Sequence, residues 1–322
     1  MDWWLIALGV FLLFFLLPTM ILSSIIYTKL LIRTTKAKWG RECSIPDDEE
    51  YRRMFDIGMA WHDRYAAQKR PVEIDSGRFH LCGEYFDFGA DKAVIVIPGR
   101  MESLLYSYFF AEPYRAAGYN VLVIDNRAHG LSDGRINSLG YREYKDILAW
   151  CRLLHDTLGN RSVVLHGICI GSSTGLFAMT ARRSPAYITA LVAEGMYDTF
   201  GESFLNHMRV DKRPMFPFAG EVLFYIWAIS GANVVTDGPI RRIRRMTRPV
   251  LFLHSRADVF STPEKARELY ERCSAPKRLV WFDGADHSRI RINHTARYDG
   301  AIADFLAALD GEKKTVDTLV GV

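Results

Sequence analysis

Six short apolar runs, each bounded by turn residues, limit what this chain can fold into more than any other feature. They are residues 93–97 (Ala-Val-Ile-Val-Ile), 121–124, 162–165, 188–192, 249–253 and 278–281. Runs of this kind, apolar without alternation, are buried on both faces, as in a parallel sheet. Helical stretches such as Tyr141–Leu158 and Pro263–Cys273 separate most of them. Strand and helix in alternation predict a mostly parallel, doubly wound α/β sheet. In such a sheet functional side chains gather at the carboxyl ends of strands. A length of 322 residues, 49% hydrophobic and 24% charged, fits one large packed domain or two small ones.

The N-terminus is of another kind. From Trp3 to Thr28, 26 residues, there is no charge. That is enough to cross the ~30 Å hydrocarbon core of a bilayer. Trp3, Trp4 and Tyr27 stand where interfacial aromatics belong, and Pro18 predicts a kink. A cleaved signal peptide fits less well, because the run is too long and only Asp2 precedes it. Lys29, Arg33, Lys36, Lys38 and Arg41 follow the run, so the positive-inside rule predicts a single-pass anchor at the cell membrane with the large domain in the cytoplasm. Five cysteines, an odd number without a CxxC pair, predict free thiols rather than disulfides or a zinc site. A net charge of +4 gives no reason to expect nucleic acid. Pro46-Asp47-Asp48 reads as a helix start, and Tyr51, Met54, Phe55, Met59 and Trp61 recur behind it at helical spacing.

The chemistry is concentrated at three strand ends. Val163–Leu165 runs into His166-Gly167-Ile168-Cys169-Ile170-Gly171 and then into an apolar helix. Gly-x-Cys-x-Gly between strand and helix is the nucleophile-elbow pattern with sulfur in place of oxygen, and its small residues let strand and helix pass closely. A second frame, Gly171-Ser172-Ser173-Thr174-Gly175, begins a helical turn too late to place Ser173 at the turn. Asp258 follows the run at 249–253, and His287 follows the last. Nucleophile, acid and histidine in that order predict Cys169, Asp258 and His287 as a triad in which His287 takes the thiol proton and Asp258 orients the ring. The helix N-terminus behind Cys169 should favour the thiolate. The oxyanion hole is expected at the backbone N–H of Ile170 and at that of Arg100, with Met101 as the alternative; Pro98 has no N–H to offer.

These residues resemble the α/β-hydrolase superfamily, and more narrowly bacterial membrane-anchored α/β hydrolases of the serine aminopeptidase and dienelactone hydrolase-like group. Asp125-Asn126-Arg127-Ala128-His129-Gly130-Leu131-Ser132-Asp133-Gly134 is similar to the family's D-x-R-x-H-G-x-S-x-G stretch, and the likeness covers about residues 50–310. Two positions depart from the usual pattern: Cys169 stands for serine, and Pro98-Gly99 for His-Gly. The resemblance implies a hydrolase acting on a carboxylic ester or thioester through an acyl-enzyme, with no cofactor and no metal. Cysteine relatives include dienelactone hydrolases, polyhydroxyalkanoate synthases and bile-acid acyltransferases, which keeps acyl transfer as the alternative and a non-catalytic scaffold third.

The implied organisation is an anchor over 1–32, a linker and amphipathic helix over 33–70, an α/β-hydrolase domain over 71–310 and a tail over 311–322. A helical cap is expected at about 196–247, rich in aromatics and longer than an ordinary connection. Met215-Phe216-Pro217-Phe218 is its expected lip, and Met101, Met215, Phe216 and Phe218 are expected to touch a small-molecule acyl substrate. Arg241, Arg242, Arg244, Arg245 and Arg248 form a cluster that reads as a solvated face or as a contact to anionic headgroups. The partners implied are that substrate and membrane lipid. The oligomeric state is not legible.

Overall fold

The computed structural model describes the backbone of residues 2–320 and the side chains of residues 2–311. The six apolar runs are strands β3 (Lys92–Ile97), β4 (Asn120–Ile124), β5 (Ser162–Ile168), β6 (Ile188–Glu194), β7 (Val250–Ser255) and β8 (Lys277–Phe282). With β1 (Lys69–Ser76) and β2 (Phe79–Phe86) they form one sheet in the order β1-β2-β4-β3-β5-β6-β7-β8. β1 and β2 pair antiparallel, as do β2 and β4, and every pairing from β4 to β8 is parallel. β1 was not legible as a strand because it is an edge: only alternate residues such as Val72 and Ile74 turn inward. β3 connects to β4 on one side and neighbours β5 on the other, so the chain reverses its winding there. The crevice between the carboxyl ends of β3 and β5 is the topological switch point, where ligands bind in open α/β sheets.

Alternate strand residues supply two cores. Val94, Val96, Val121, Val123, Val164 and Leu251 face one layer, which holds α2 (Glu49–Arg64) and α8 (Thr295–Val320). Ile95, Ile97, Leu122, Leu165, Leu191 and Phe252 face the other, which holds α3 (Tyr144–Arg152), α4 (Ile170–Met179) and α7 (Pro263–Arg272). Asp48 caps α2 by accepting from the Tyr51 N–H, and Tyr51, Met54 and Trp61 form its buried stripe. α8 runs on to Val320, so most of the expected tail continues a helix; residues 321 and 322 lie outside the described residues.

A third cluster joins the cap to the N-terminal helix. The cap contains α5 (Phe200–Val210) and α6 (Phe218–Ser230). The N-terminal helix α1 (Trp3–Leu31) is long and apolar enough to cross a membrane. Its turn at Leu12–Leu16 is a π-helical one, directly before Pro18. Proline offers no N–H to the preceding turn, and the wider turn lets the helix continue. The last turns are not a free tether. Ser23, Tyr27 and Leu31 are buried, Tyr27 and Leu31 in the cluster that also holds Ile170, Tyr197, Val222 and Ile226. Lys38 Nζ caps the helix by donating to the carbonyls of Thr28, Lys29 and Ile32. Arg33 donates to the Lys36 and Gly130 carbonyls, and Arg41 pairs with Asp125 and Glu84. Three of the five basic residues counted as a membrane flank are therefore committed to internal contacts.

Candidate active site

The elbow follows from two close approaches. A Cβ at Gly167 would lie 2.2 Å from the Ser172 nitrogen, and one at Gly171 would lie 2.1 Å from the Ile97 carbonyl oxygen. Only glycine lets α4 cross β5 and the end of β3 at that distance. Cys169 between them sits at φ +53°, ψ −112°, a sparsely populated backbone state. Its N–H donates to the Glu194 carbonyl at 2.9 Å, and the Ser172 hydroxyl reaches the carbonyls of Gly167 (2.6 Å) and Glu194 (2.8 Å). The rival Ser173 is fully buried inside α4.

Asp258, three residues past β7, and His287, in the loop after β8, meet across the strand ends. His287 Nδ1 donates to Asp258 Oδ2 at 2.6 Å. Asp258 Oδ1 accepts from the N–H groups of Phe260 (2.9 Å) and Ser261 (2.8 Å). Burial raises the Asp258 carboxyl, but the His287 charge, its hydrogen bond and the Ser261 N–H outweigh that and hold it below its ordinary value. For His287 burial disfavours the imidazolium, yet the Asp258 charge, the Cys169 sulfur and hydrogen bonds to both keep the ring well above its ordinary value. Gly195 makes room for the ring: it has φ +58°, and a Cβ there would meet His287 Cε1 at 3.1 Å.

Cys169 and His287 line one cavity of about 470 Å³ with Arg100, Met101, Glu102, Tyr51, His207, Val210, Val259 and Phe260 among its walls. Met101 is one of the lining residues. Met215, Phe216 and Phe218 are not among the lining residues: Phe216 is 82% exposed, and Met215 and Phe218 pack on the cap cluster. Residues of α5 and of the 257–260 loop take their place, because α5 and not the lip covers the strand ends. His207 stacks on Phe260 (3.7 Å between centroids), and burial pushes its imidazole down to about 4, so it stands in the wall as a neutral ring.

The loop 98–102 is held from behind by the Asp125–Ser132 stretch. His129 Nε2 donates to the Arg100 carbonyl at 2.7 Å, and Trp39 stacks on the His129 ring. Buried Asp125 accepts from the N–H groups of Leu104 and Leu131 and from Arg41. Arg100 itself donates from Nη1 to the Leu30 carbonyl (3.1 Å), tying the end of α1 to this loop.

Three features escaped the sequence. Glu102 is a buried carboxylate on the cavity wall; Tyr51 of α2 donates to it at 3.3 Å, and burial raises it above its ordinary value. Arg289 joins α2 to the histidine loop through Asp48 and Glu50. Beneath the elbow, Tyr298 donates to Glu194 (2.5 Å) and lies 3.0 Å from His166 Nε2. Burial pushes Glu194 up to about 7 and His166 down to about 3, so at neutral pH His166 is uncharged and the Glu194 carboxyl is about half ionised. None of these has a local sequence signal, since each depends on segments far apart in the chain. Glu73, His80 and Cys82 bring ligand-type atoms within 4.8 Å of one another on the β1–β2 edge, and none of them lines the cavity.

A tight glycine-flanked turn carrying Cys169 after β5, Asp258 after β7 and His287 after β8, on a sheet of this strand order, match one fold. This is an α/β-hydrolase-fold protein. Residues 92–213 match the family model of the alpha/beta hydrolase fold. The chain is similar to the uncharacterised protein YqkD of Bacillus subtilis, 26% identical over 217 residues, 67% of this chain and 71% of that one. Among solved structures, an esterase from Pyrococcus furiosus superposes with a TM-score of 0.64 at 22% identity, covering 77% of this chain and 93% of that chain. A serine hydrolase from the polyaromatic hydrocarbon-degrading bacterium Cycloclasticus zankles does so at 0.56 and 18% identity, covering 75% and 99%. In the α/β-hydrolase frame the cap is the insertion after β6, between the elbow and the acid.

Proposed function

We propose that this α/β hydrolase cleaves carboxylic ester or thioester bonds with Cys169 as nucleophile, His287 as base and Asp258 as its orienting acid. The observation that carries the reading is the strained cysteine facing a cavity it shares with a hydrogen-bonded His–Asp pair. The thiolate attacks the acyl carbonyl while the imidazolium holds the proton. The Ile170 N–H and that of Arg100, with Met101 as the alternative, receive the oxyanion. Collapse of the tetrahedral intermediate breaks the bond to the leaving group, which takes the proton from His287 and leaves a thioester on Cys169. Water, deprotonated by His287, then releases the acid. Thiol, imidazole and backbone N–H groups suffice for these steps. Acyl transfer is the second reading, favoured by the sulfur itself, because a thioester passes its acyl group readily to an amine. α1 is read as a single-pass membrane anchor with the catalytic domain in the cytoplasm.

The test is labelling of detergent-solubilised protein with iodoacetamide and fluorophosphonate probes. Fluorophosphonate labelling, and the fast iodoacetamide labelling in excess of that of partly exposed Cys43 and Cys82, should vanish in Cys169→Ala and persist in Ser173→Ala; the reverse pattern moves the nucleophile. Acyl p-nitrophenyl esters of increasing chain length should gain about fourfold in kcat/KM per carbon until the cavity is full. A maximum at acetyl would remove the apolar acyl pocket from the reading, and added amine separates hydrolysis from transfer.

A further inference from the structure

α1 and α6 run side by side and in the same direction. α1 ends against Asn137, whose N–H donates to the Leu31 carbonyl at 3.0 Å. The chain leaving α6 returns to Tyr141, whose hydroxyl donates to the Asp237 carbonyl at 2.5 Å. Both C-termini therefore rest on the domain, and both N-termini point away from it. Between the helices, Thr19 and Ser23 each donate to the Glu221 carboxylate at 2.7 Å, and the Tyr225 hydroxyl donates to the Met20 carbonyl at 3.1 Å. Outside the seam the surface is apolar. Leu17, Ile21, Leu22 and Ile25 are exposed on α1, and on α6 Phe224 and Trp227 are 49% and 58% exposed.

We propose that α6 and the lip before it lie in the lipid bilayer beside α1. The occupant of this face is the hydrocarbon of the membrane, and the inference rests on the reading of α1 as a membrane anchor. Three arguments carry it. Burial on α1 begins at Ser23, and the cap already holds the helix at Thr19 and Met20, so the stretch clear of the domain is residues 3–18, about 24 Å at 1.5 Å per residue and less than the hydrocarbon thickness. Glu221 sits level with Thr19–Ser23, at the inner edge of that stretch. α6 starts three residues before Glu221, about one turn further out, which puts its first turn at hydrocarbon depth, with exposed Phe216 two residues before it. The polar groups that would be costly there satisfy one another across the seam, the arrangement by which helices associate in lipid. Finally, an exposed apolar patch of this extent, continuous with a span, is a membrane contact rather than ordinary surface. The catalytic cavity opens close by: Val210 lines it, and the lip follows within a few residues. The arginine-lined groove at Arg241, Arg244, Arg245 and Arg272 lies instead toward the C-terminal end of α7, the end of the sheet away from Cys169, so it is not the headgroup contact.

The experiment reconstitutes the full chain in phosphatidylcholine–phosphatidylglycerol vesicles with and without chain-brominated lipid and reads tryptophan quenching. Trp227→Phe should remove about a third of the lipid-quenchable emission, the share of one among Trp3, Trp4 and Trp227. Trp4→Phe should remove a similar share. If Trp4→Phe lowers quenching and Trp227→Phe leaves it unchanged, the anchor inserts and the cap stays in water, which overturns the inference. If neither changes it, the anchor reading fails and the inference with it. The readout needs no turnover, so it stands apart from any failure of the esterase reading.

Discussion

The elbow and the cap meet at the same cavity but are specified in opposite ways. At the elbow, backbone crosses backbone at Gly167 and Gly171, and no other side chain fits. Between the cap and α1, Tyr27, Val222, Ile226 and Phe204 fill a shared cluster in which shape and apolarity count more than identity. Cores of that kind tolerate exchange as long as volume is kept. The comparison teaches that a close backbone approach leaves a signature in a few letters, whereas packing spreads its requirement over many.

That contrast can be broken by experiment. The largest effect is expected at Cys169→Ala, which should lower turnover by about 10⁴-fold or more while leaving thermal unfolding near that of the wild type. A comparable activity in the variant would place the chemistry elsewhere. Asp258→Asn should cost about 10²- to 10⁴-fold. It should also move the pH profile. With His287 held above its ordinary value, the alkaline limb in the wild type lies well above pH 7, and without the Asp258 charge it should fall toward about 6.5. The same pair stabilises the fold. His287 loses its contribution as pH rises through its raised value, and Asp258 loses its own as pH falls through its lowered one.

Gly171→Ala tests the backbone half directly. Its Cβ meets the Ile97 carbonyl, so stability in urea should fall by about 3 kcal/mol; an unchanged midpoint would mean the crossing can relax. The cap half is tested by Thr19→Val with Ser23→Ala, which strips Glu221 of both donors and should cost about 1 to 2 kcal/mol. Phe216→Ser sets the floor. In detergent, with soluble p-nitrophenyl acetate, it should change kcat/KM by less than about twofold, because the residue is exposed and outside the cavity wall.

Much of the candidate site was legible because its residues are bound to strand ends. Cys169, Asp258 and His287 each follow an apolar run, and the structure puts Asp258 and His287 in hydrogen-bond contact and Cys169 on the same cavity. The lip was misjudged as a pocket wall because aromatics on a short helix look the same whether they face a ligand, a core or lipid. The basic flank has a second role that the sequence does not show: Lys38 caps a helix and Arg41 pairs with buried Asp125.

The sequence alone determined the parallel sheet, the elbow and the order of the three site residues, since each follows from local periodicity and from glycines that nothing else can replace. Only the tertiary structure decided that α2 brings Tyr51 to the cavity, that Glu102 is buried on its wall, that Glu194 and Tyr298 lie under the elbow, and that α1 seals against α6 through Glu221. Those contacts join segments separated by 51 to 202 positions in the chain. A contact at that distance leaves no periodicity in either partner, so it exists for the reader only once the chain has closed.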